Sequence, residues 1–426
     1  MQKMELNYGK QHVTMDFPQN HKITYLEPPY SGSVIQDIEE KVLNLLEKPD
    51  AGKSLSSIID EKKLETDQPK VAIIVNDLSR STPVKRMLPP VLKSLHKIGI
   101  SVEEITIVIA TGTHRILTGE EENYLLGKDI TEKYKVLSHN CDSDDLVSLG
   151  RFSTGNEFFL NRTVFEADIR IAIGEILFHY FAGFAGGRKS LCPGVCGRST
   201  IMNNHKMMTS PLARLGNIAG NPLHQELMES LSVFPLHFVV NAICNYKKEV
   251  AYIIGGDPVE AWHKGLDLFR ELNTVSIDRQ KNVVIASAGG FPKDINLYQA
   301  QKAFEMAGQA VADGGTLVIF AECPEIYGNP TFQQWAEEGL DADQVTDKFE
   351  NGFKLGAHKL YYLARMSKRI DLFLFSGLSR EITEGVFCNK PEDWDECLRK
   401  LEEKHGKDFD VLVIPQGGII LPEIKK

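Results

Sequence analysis

Much that would narrow the function of a 426-residue chain is missing from this one. Nowhere do 18 apolar residues run together, so no segment reads as a membrane-spanning helix and no membrane partner is expected. The opening stretch, MQKMELNYGKQHVTMDFP, alternates like a strand and lacks the apolar core of a secretion signal, which points to a soluble cytoplasmic protein. Basic charge is in deficit, 48 Lys+Arg against 58 Asp+Glu, and no basic run occurs, so nucleic acid is not an expected partner. The cysteines, at 141, 192, 196, 244, 323, 388 and 397, are odd in number and scattered, which argues for reduced thiols. The close pair Cys192 and Cys196 lacks a second pair to complete a zinc site and reads as small buried residues around Pro193 and Gly194. GxGxxG spacing, short repeats and low-complexity tracts are also absent.

What is present is a repeated strand, loop and helix. Residues 70–76, KVAIIVN, form an apolar run without alternation, followed by the polar turn DLSRSTP at 77–83 and a helix over about 84–98. An apolar strand leading through a polar loop into a helix marks a buried parallel strand, and ligands bind at the carboxyl ends of such strands. The unit repeats in EITIVIA at 104–110, TGTHR at 111–115 and a helix from Gly119. Both turns should leave one sheet edge, bringing Asp77, Arg80, His114 and Arg115 to a common ligand. A third strand, ending in IAIGEI, enters residues 174–205, GEILFHYFAGFAGGRKSLCPGVCGRSTIMNNH. Its six glycines, with His179, Arg188, Lys189 and His205 among them, have the makeup of a loop-built site. Residues 211–226 read as loop with His224 on the surface, 236–256 as a hairpin, and 274–280 as a linker.

The length suggests two domains. The fold expected is α/β, with two domains of mainly parallel sheets, residues 1–273 carrying the site loops and 281–426 closing an active-site cleft between them. In the second, a strand near 282–288 leads through Gly289-Gly290 into a helix capped by Asp294 or Asn296. Tyr298 and Lys302 share a face of that helix, with Gln299 beside them. Further strands are expected at 315–322, 370–378 and 409–415.

Histidines at 114, 179 and 205 near a lysine and arginines suit acid/base work on an anionic small molecule. Arginine recognises carboxylate bidentately, and an α-hydroxy acid fits the set. A histidine is too weak a base to remove the α-hydrogen unaided, so an electron acceptor must come from a metal or organic cofactor. Lys189 could tether one and His205 could bind a metal, nickel, zinc, copper and iron all being compatible with imidazole.

The segments DLSRSTP at 77–83, GTHR at 112–115, HYFAGFAGGRKSLCPG at 179–194, NNH at 203–205 and LYQAQKAF at 297–304 fix the reading further. In order and spacing the chain resembles the nickel-pincer lactate racemase family over nearly its full length. The resemblance implies a pyridinium-3-thioamide-5-thiocarboxylic acid mononucleotide covalently linked at Lys189, holding nickel with His205 as the protein's ligand. It implies that His114 and His179 exchange the hydroxyl proton while hydride passes to the cofactor and back through a 2-keto acid. It places Arg80, Tyr298, Gln299 and Lys302 at the substrate, and Asp77 behind a catalytic histidine or the cofactor. Cofactor-synthesis proteins are the implied partners. Arg188 leaves two readings open, a second carboxylate or polyhydroxy substrate, or a contact to the cofactor phosphate. The rival readings are a hydrolase or lyase with a simple His-bound metal and a carboxylate-binding carrier.

Overall fold

The computed structural model describes residues 2–26 and 33–425; Met1 and Lys426, the outer ends of the two expected domains, lie outside that range. Two compact units are formed, one from residues 33–272 and one from residues 2–26 together with 273–425.

In the first unit a six-stranded sheet among the described residues runs in the order Val250–Gly256, Phe238–Cys244, Ile169–Ile176, Val71–Asn76, Ile105–Ala110, Lys135–Ser138. Its pairings are parallel except at Val250–Gly256, which forms the expected hairpin with Phe238–Cys244. The runs IRIAIGEI and VAIIV are buried on both faces, which is why they carry no alternation. Helices flank them: Ile38–Glu47, capped by Asp37, and Val84–Lys97 contribute Val42, Leu45, Leu88 and Val91 to one core with Ile73, Ile107 and Ile171. Progress along the chain reverses at the sheet's centre. From Val71–Asn76 it moves outward to Ile105–Ala110 and Lys135–Ser138, then returns to the other side of Val71–Asn76 with Ile169–Ile176. The two strands that flank this reversal pair Val75 with Ile173, so Ile169–Ile176 runs on past the end of Val71–Asn76.

The second unit repeats the plan with Asp371–Phe375, Val311–Phe320, Lys281–Ser287, Asp410–Ile414 and Lys22–Tyr25, all parallel. Here the expected boundaries need correction. The N-terminal residues do not belong to the first domain: Lys22–Tyr25 completes this sheet beside Asp410–Ile414, and the hairpin of Gln2–Tyr8 with Gln11–Phe17 packs Met4, Leu6 and Phe17 onto Val283, Val318 and Val411. Their apolar alternation marks strands but does not say which sheet they join. Likewise the supposed linker contains a strand, Thr274–Ile277, paired with Leu421–Ile424. The supposed loop to residue 226 contains the start of a helix, Pro222–Val233, because Asn221 caps it and Pro222 takes the first helical position, where a missing N–H costs nothing.

Phe17→Ala is expected to cost about 3–5 kcal/mol through the cavity it leaves. Hydrogen exchange will show lost protection in Lys281–Ser287 and unchanged protection in Val71–Asn76 if residues 2–26 belong to this unit.

Candidate active site

The reversal in the first sheet opens a crevice at the carboxyl ends of Val71–Asn76 and Ile169–Ile176, the place where open α/β sheets bind ligands. A cavity of about 710 Å³, its open mouth included, occupies the crevice. Asp77, Arg80, His114, His179, Lys189 and His205 all line it. Four chain segments well separated in sequence therefore meet, as the strand-end loops predicted. Arg115 is not among them; its guanidinium turns away to Glu121, at 2.5 and 2.7 Å.

On one wall His114 Nδ1 lies 2.6 Å from Asp77 Oδ2, while Asp77 Oδ1 accepts from the Ser79 hydroxyl at 2.5 Å and the Ser79 N–H at 3.1 Å. Burial works against the charge on Asp77. The hydrogen bonds from His114 and Ser79, and the nearby charges of His114 and Arg80, outweigh it and hold the carboxyl below its ordinary value. An ionised Asp77 is only an acceptor, so the shared proton sits on His114 Nδ1, and in the neutral ring Nε2 is then the acceptor. The loop carrying His114 is tied across the cavity by Gly112 N–H donating to the Gly194 carbonyl at 3.0 Å.

Behind the Asp77 loop stands Glu175, which sequence reasoning passed over. It is buried at the end of Ile169–Ile176, and its Oε1 accepts from the Ser81 N–H at 3.1 Å. Burial pushes its carboxyl up, against the opposing pull of that N–H and of Arg80 and Lys248. An acidic residue next to last in a strand that is apolar from Ile171 to Gly174 was the available signal.

The opposite wall is built on glycine. Residues 186 and 187 take positive φ, 79° and 53°, and a Cβ on Gly187 would come within 2.9 Å of the Trp262 ring. This lets the short 3-10 turn Gly187–Ser190 hold Lys189 at the cavity. Phe181, also missed, is the buried hub: its ring centroid lies 4.4 Å from His179, 4.8 Å from His205 and 5.7 Å from Lys189 Nζ. Nothing in its sequence position distinguishes it from the other phenylalanines of the segment. The Ala182 N–H donates to His179 Nδ1 at 3.3 Å, which leaves the proton of a neutral ring on Nε2.

Burial is the main influence on all three titratable groups here. It lowers His179, assisted by Lys189, Arg80, His205 and Arg188; it lowers Lys189, assisted by Arg80 and Arg188 against a weak pull from Cys192. His205 comes down to about 3 through burial and Lys189, with the Ile201 carbonyl opposing. That carbonyl is not in hydrogen-bonding geometry, so His205 Nδ1 is buried without a partner. His205 stands in the last turn of the helix Arg198–Lys206. The next residue back, Asn204, donates to the buried carboxylate of Glu226 at 3.0 Å, and Asn156 joins it at 2.9 Å.

Arg188 does not line the cavity. It is fully buried, stacked 3.9 Å over Trp262, and donates to the carbonyls of Ala182 and Phe184 and to Nδ1 of His224 at 3.1 Å. His224, expected on the surface, is therefore buried. Cys192 and Cys196 are both buried free thiols. In the second unit Asn296, not Asp294, caps the helix Leu297–Ala307, whose first turns carry Tyr298, Gln299 and Lys302; Lys302 Nζ donates to Gln299 Oε1 at 2.8 Å.

Comparison with known proteins gives the chain a family. A family model described as the lactate racemase N-terminal domain matches residues 8–216, and one for the lactate racemase C-terminal domain matches residues 277–421. The chain belongs to the lactate racemase family. Lactate racemases of Thermoanaerobacterium thermosaccharolyticum and Lactiplantibacillus plantarum are each 29% identical to it, over 98% of the chain and 98% of the first, and 99% of the chain and all of the second. The structure of the lactate racemase apoprotein from T. thermosaccharolyticum superposes with a TM-score of 0.87 at 27% identity, covering 99% of this chain and all of that one. A crystal structure of a Thermotoga maritima protein shares the fold alone, at 19% identity and a TM-score of 0.63 over 94% of this chain and all of that one. Membership of this family makes the protein a racemase, an isomerase in class. Among its described residues no helix is long and apolar enough to cross a membrane.

The depressed carboxyl of Asp77 has a pH consequence. A folded value below the ordinary one near about 3.9 contributes stability that is fully present above that point and is lost as pH falls through the folded value. Urea unfolding of wild type and Asp77→Asn is therefore expected to show a stability gap that is constant above about pH 5 and narrows as pH falls below it, toward and through the lowered value of the folded carboxyl. A gap that does not change with pH would mean that the native carboxyl is not held in its ionised form.

Proposed function

We propose that the protein racemises or epimerises a small 2-hydroxy acid, lactate or a relative, using nickel carried by the pyridinium-3-thioamide-5-thiocarboxylic acid mononucleotide attached at Lys189. The reading is carried by one observation: a half-buried lysine, a histidine with a buried, unpartnered nitrogen and an Asp-oriented histidine line a single cavity.

The residues fit such a group. Among the described residues Lys189 has no ion-pair partner, and burial with two nearby guanidiniums favours its neutral amine, the form that can be acylated. His205 offers an imidazole that stays unprotonated at neutral pH, as a metal ligand must. No set of three His, Cys, Asp or Glu side chains able to hold a metal occurs among the described residues, so His205 needs its other donors from the bound group. The same donor count weighs against the rival hydrolase or lyase built on a metal held by protein side chains alone.

When bound, that group supplies an acceptor for the hydride on C2, which turns the substrate into a planar 2-keto acid that can be refilled from either face. The chain's own residues handle the carboxylate and the hydroxyl proton. Arg80, at the cavity mouth with Nη1 on the Ser79 hydroxyl, anchors the carboxylate. His114 Nε2 accepts the hydroxyl proton, and Asp77 stabilises the imidazolium formed. His179 rests in the opposite tautomer, presenting Nε2–H as a donor to the same oxygen. Removing hydrogen from carbon as hydride leaves these histidines only an O–H proton, which is within their range. Tyr298, Gln299 and Lys302 complete the substrate's contacts in this reading. Cofactor-synthesis proteins act as partners, and with them the reading puts the protein in the cytoplasm.

Purified from a host that makes the cofactor, the protein is expected to carry a mass increment on the Lys189 peptide and stoichiometric nickel, and to racemise an enantiopure 2-hydroxy acid. His205→Ala should keep the increment and lose the nickel. Active enzyme with an unmodified Lys189 would refute the assignment.

A further inference from the structure

The second unit holds a buried lysine to which no role has yet been given. Lys359 opens the helix His358–Ser367 and is 2% exposed. Its Nζ donates to Gln301 Oε1 at 2.7 Å, and Gln301 Nε2 donates on to the buried carboxylate of Glu305 at 3.3 Å. The same ammonium sits 5.1 Å from the centroid of the Tyr298 ring, and His358 packs edge-on against that ring at 6.0 Å. Gln301, Glu305 and Tyr298 all belong to the helix Leu297–Ala307. Two consecutive residues of one helix therefore clamp the helix that carries Tyr298, Gln299 and Lys302. The clamp is itself held: Gly356 N–H donates to His358 Nδ1 at 3.0 Å, and φ of 102° at Gly356 sets the turn into the helix.

A fully buried lysine costs several kcal/mol to desolvate, and packing alone would be served as well by an apolar side chain of the same length. Burial, with Lys302 nearby, brings Lys359 down to about 7, against the opposing pull of Glu305.

We propose that Lys359 is a positioning residue for the reaction: its ammonium, lodged between Gln301 and the Tyr298 ring, fixes the helix face on which Tyr298, Gln299 and Lys302 hold the substrate. The proposal rests on the reading of those three residues given above. Lys359 does not touch substrate; it acts through Tyr298 by a cation–π contact and through the Gln301–Glu305 relay that locks the helix.

The test uses cofactor-loaded enzyme and the first of enantiopure L-lactate, L-malate and D-glycerate that the wild type racemises. Lys359→Met keeps the length and removes the charge and donor. It is expected to raise KM about tenfold, the effect of losing one charge-assisted contact, with a smaller change in kcat and an unfolding midpoint near that of wild type. Should that variant fail to fold, Gln301→Met removes the acceptor instead, and the same rise in KM is expected. A KM within about twofold of wild type in a folded variant overturns the proposal, since a lysine needed only for packing alters the midpoint alone. Wild-type holoenzyme that leaves all three acids unchanged overturns the underlying reading and this proposal with it.

Discussion

A parallel sheet must release its strands on one side, and where the chain reverses its direction of travel across the sheet, two neighbouring loops diverge and leave a crevice. Everything at this site depends on that constraint. The loop after Val71–Asn76 and the segment after Ile169–Ile176 part company there, and the turn after Ile105–Ala110 closes the third side. The segments that reach the cavity take left-handed backbone only at glycines, at Gly112 in the His114 turn and at Gly183, Gly186 and Gly187 in the segment carrying Lys189. A sheet with the three strands in sequential order would bring the same side chains to its edge without a hollow to line.

Within the hollow, electrostatics are arranged by withholding partners. The carboxylates near the cavity are already committed, Asp77 to His114 and Ser79, Glu175 to the Ser81 N–H. Arg188 is stabilised by carbonyl dipoles, a neutral His224 and the face of Trp262, with no ion-pair partner among the described residues. Its charge is therefore felt by Lys189 and His179 rather than neutralised, and burial acts in the same direction. The result is an amine and two imidazoles that favour their neutral, electron-rich forms near a guanidinium suited to anions. Those are compatible demands only because the aromatic ring of Phe181, not a charged group, fills the space between the three.

Most of the first sheet was legible from sequence because its central strands are buried on both faces and carry mainly apolar residues, whereas the edge strand Lys135–Ser138, which is not buried, was not. The line-up of Asp77, Arg80 and His114 followed from strand-end logic alone. Arg115 escaped that logic, since Glu121, six residues on, sits in the following helix and draws it away. Pairing between distant segments was not legible: Lys22–Tyr25 is a short strand whose partner lies almost at the other end of the chain, and Thr274–Ile277 is too short for a pattern. His224 and Phe181 illustrate the same limit for the site. Their importance comes from what they touch, Arg188 in one case and two histidines in the other, and neither contact leaves a trace in local spacing.

The strand Lys22–Tyr25 has a consequence for the order in which the chain can fold. It is made first, yet the strand it pairs with, Asp410–Ile414, is the last of its sheet to be synthesised. Residues 33–272 carry a sheet and core of their own and can close while the rest is still being translated, whereas the hairpin of residues 2–17 must wait for Val283, Val318 and Val411. The unit that bears the cavity is thus an insertion within the other, and the outer unit's topology obliges it to finish second.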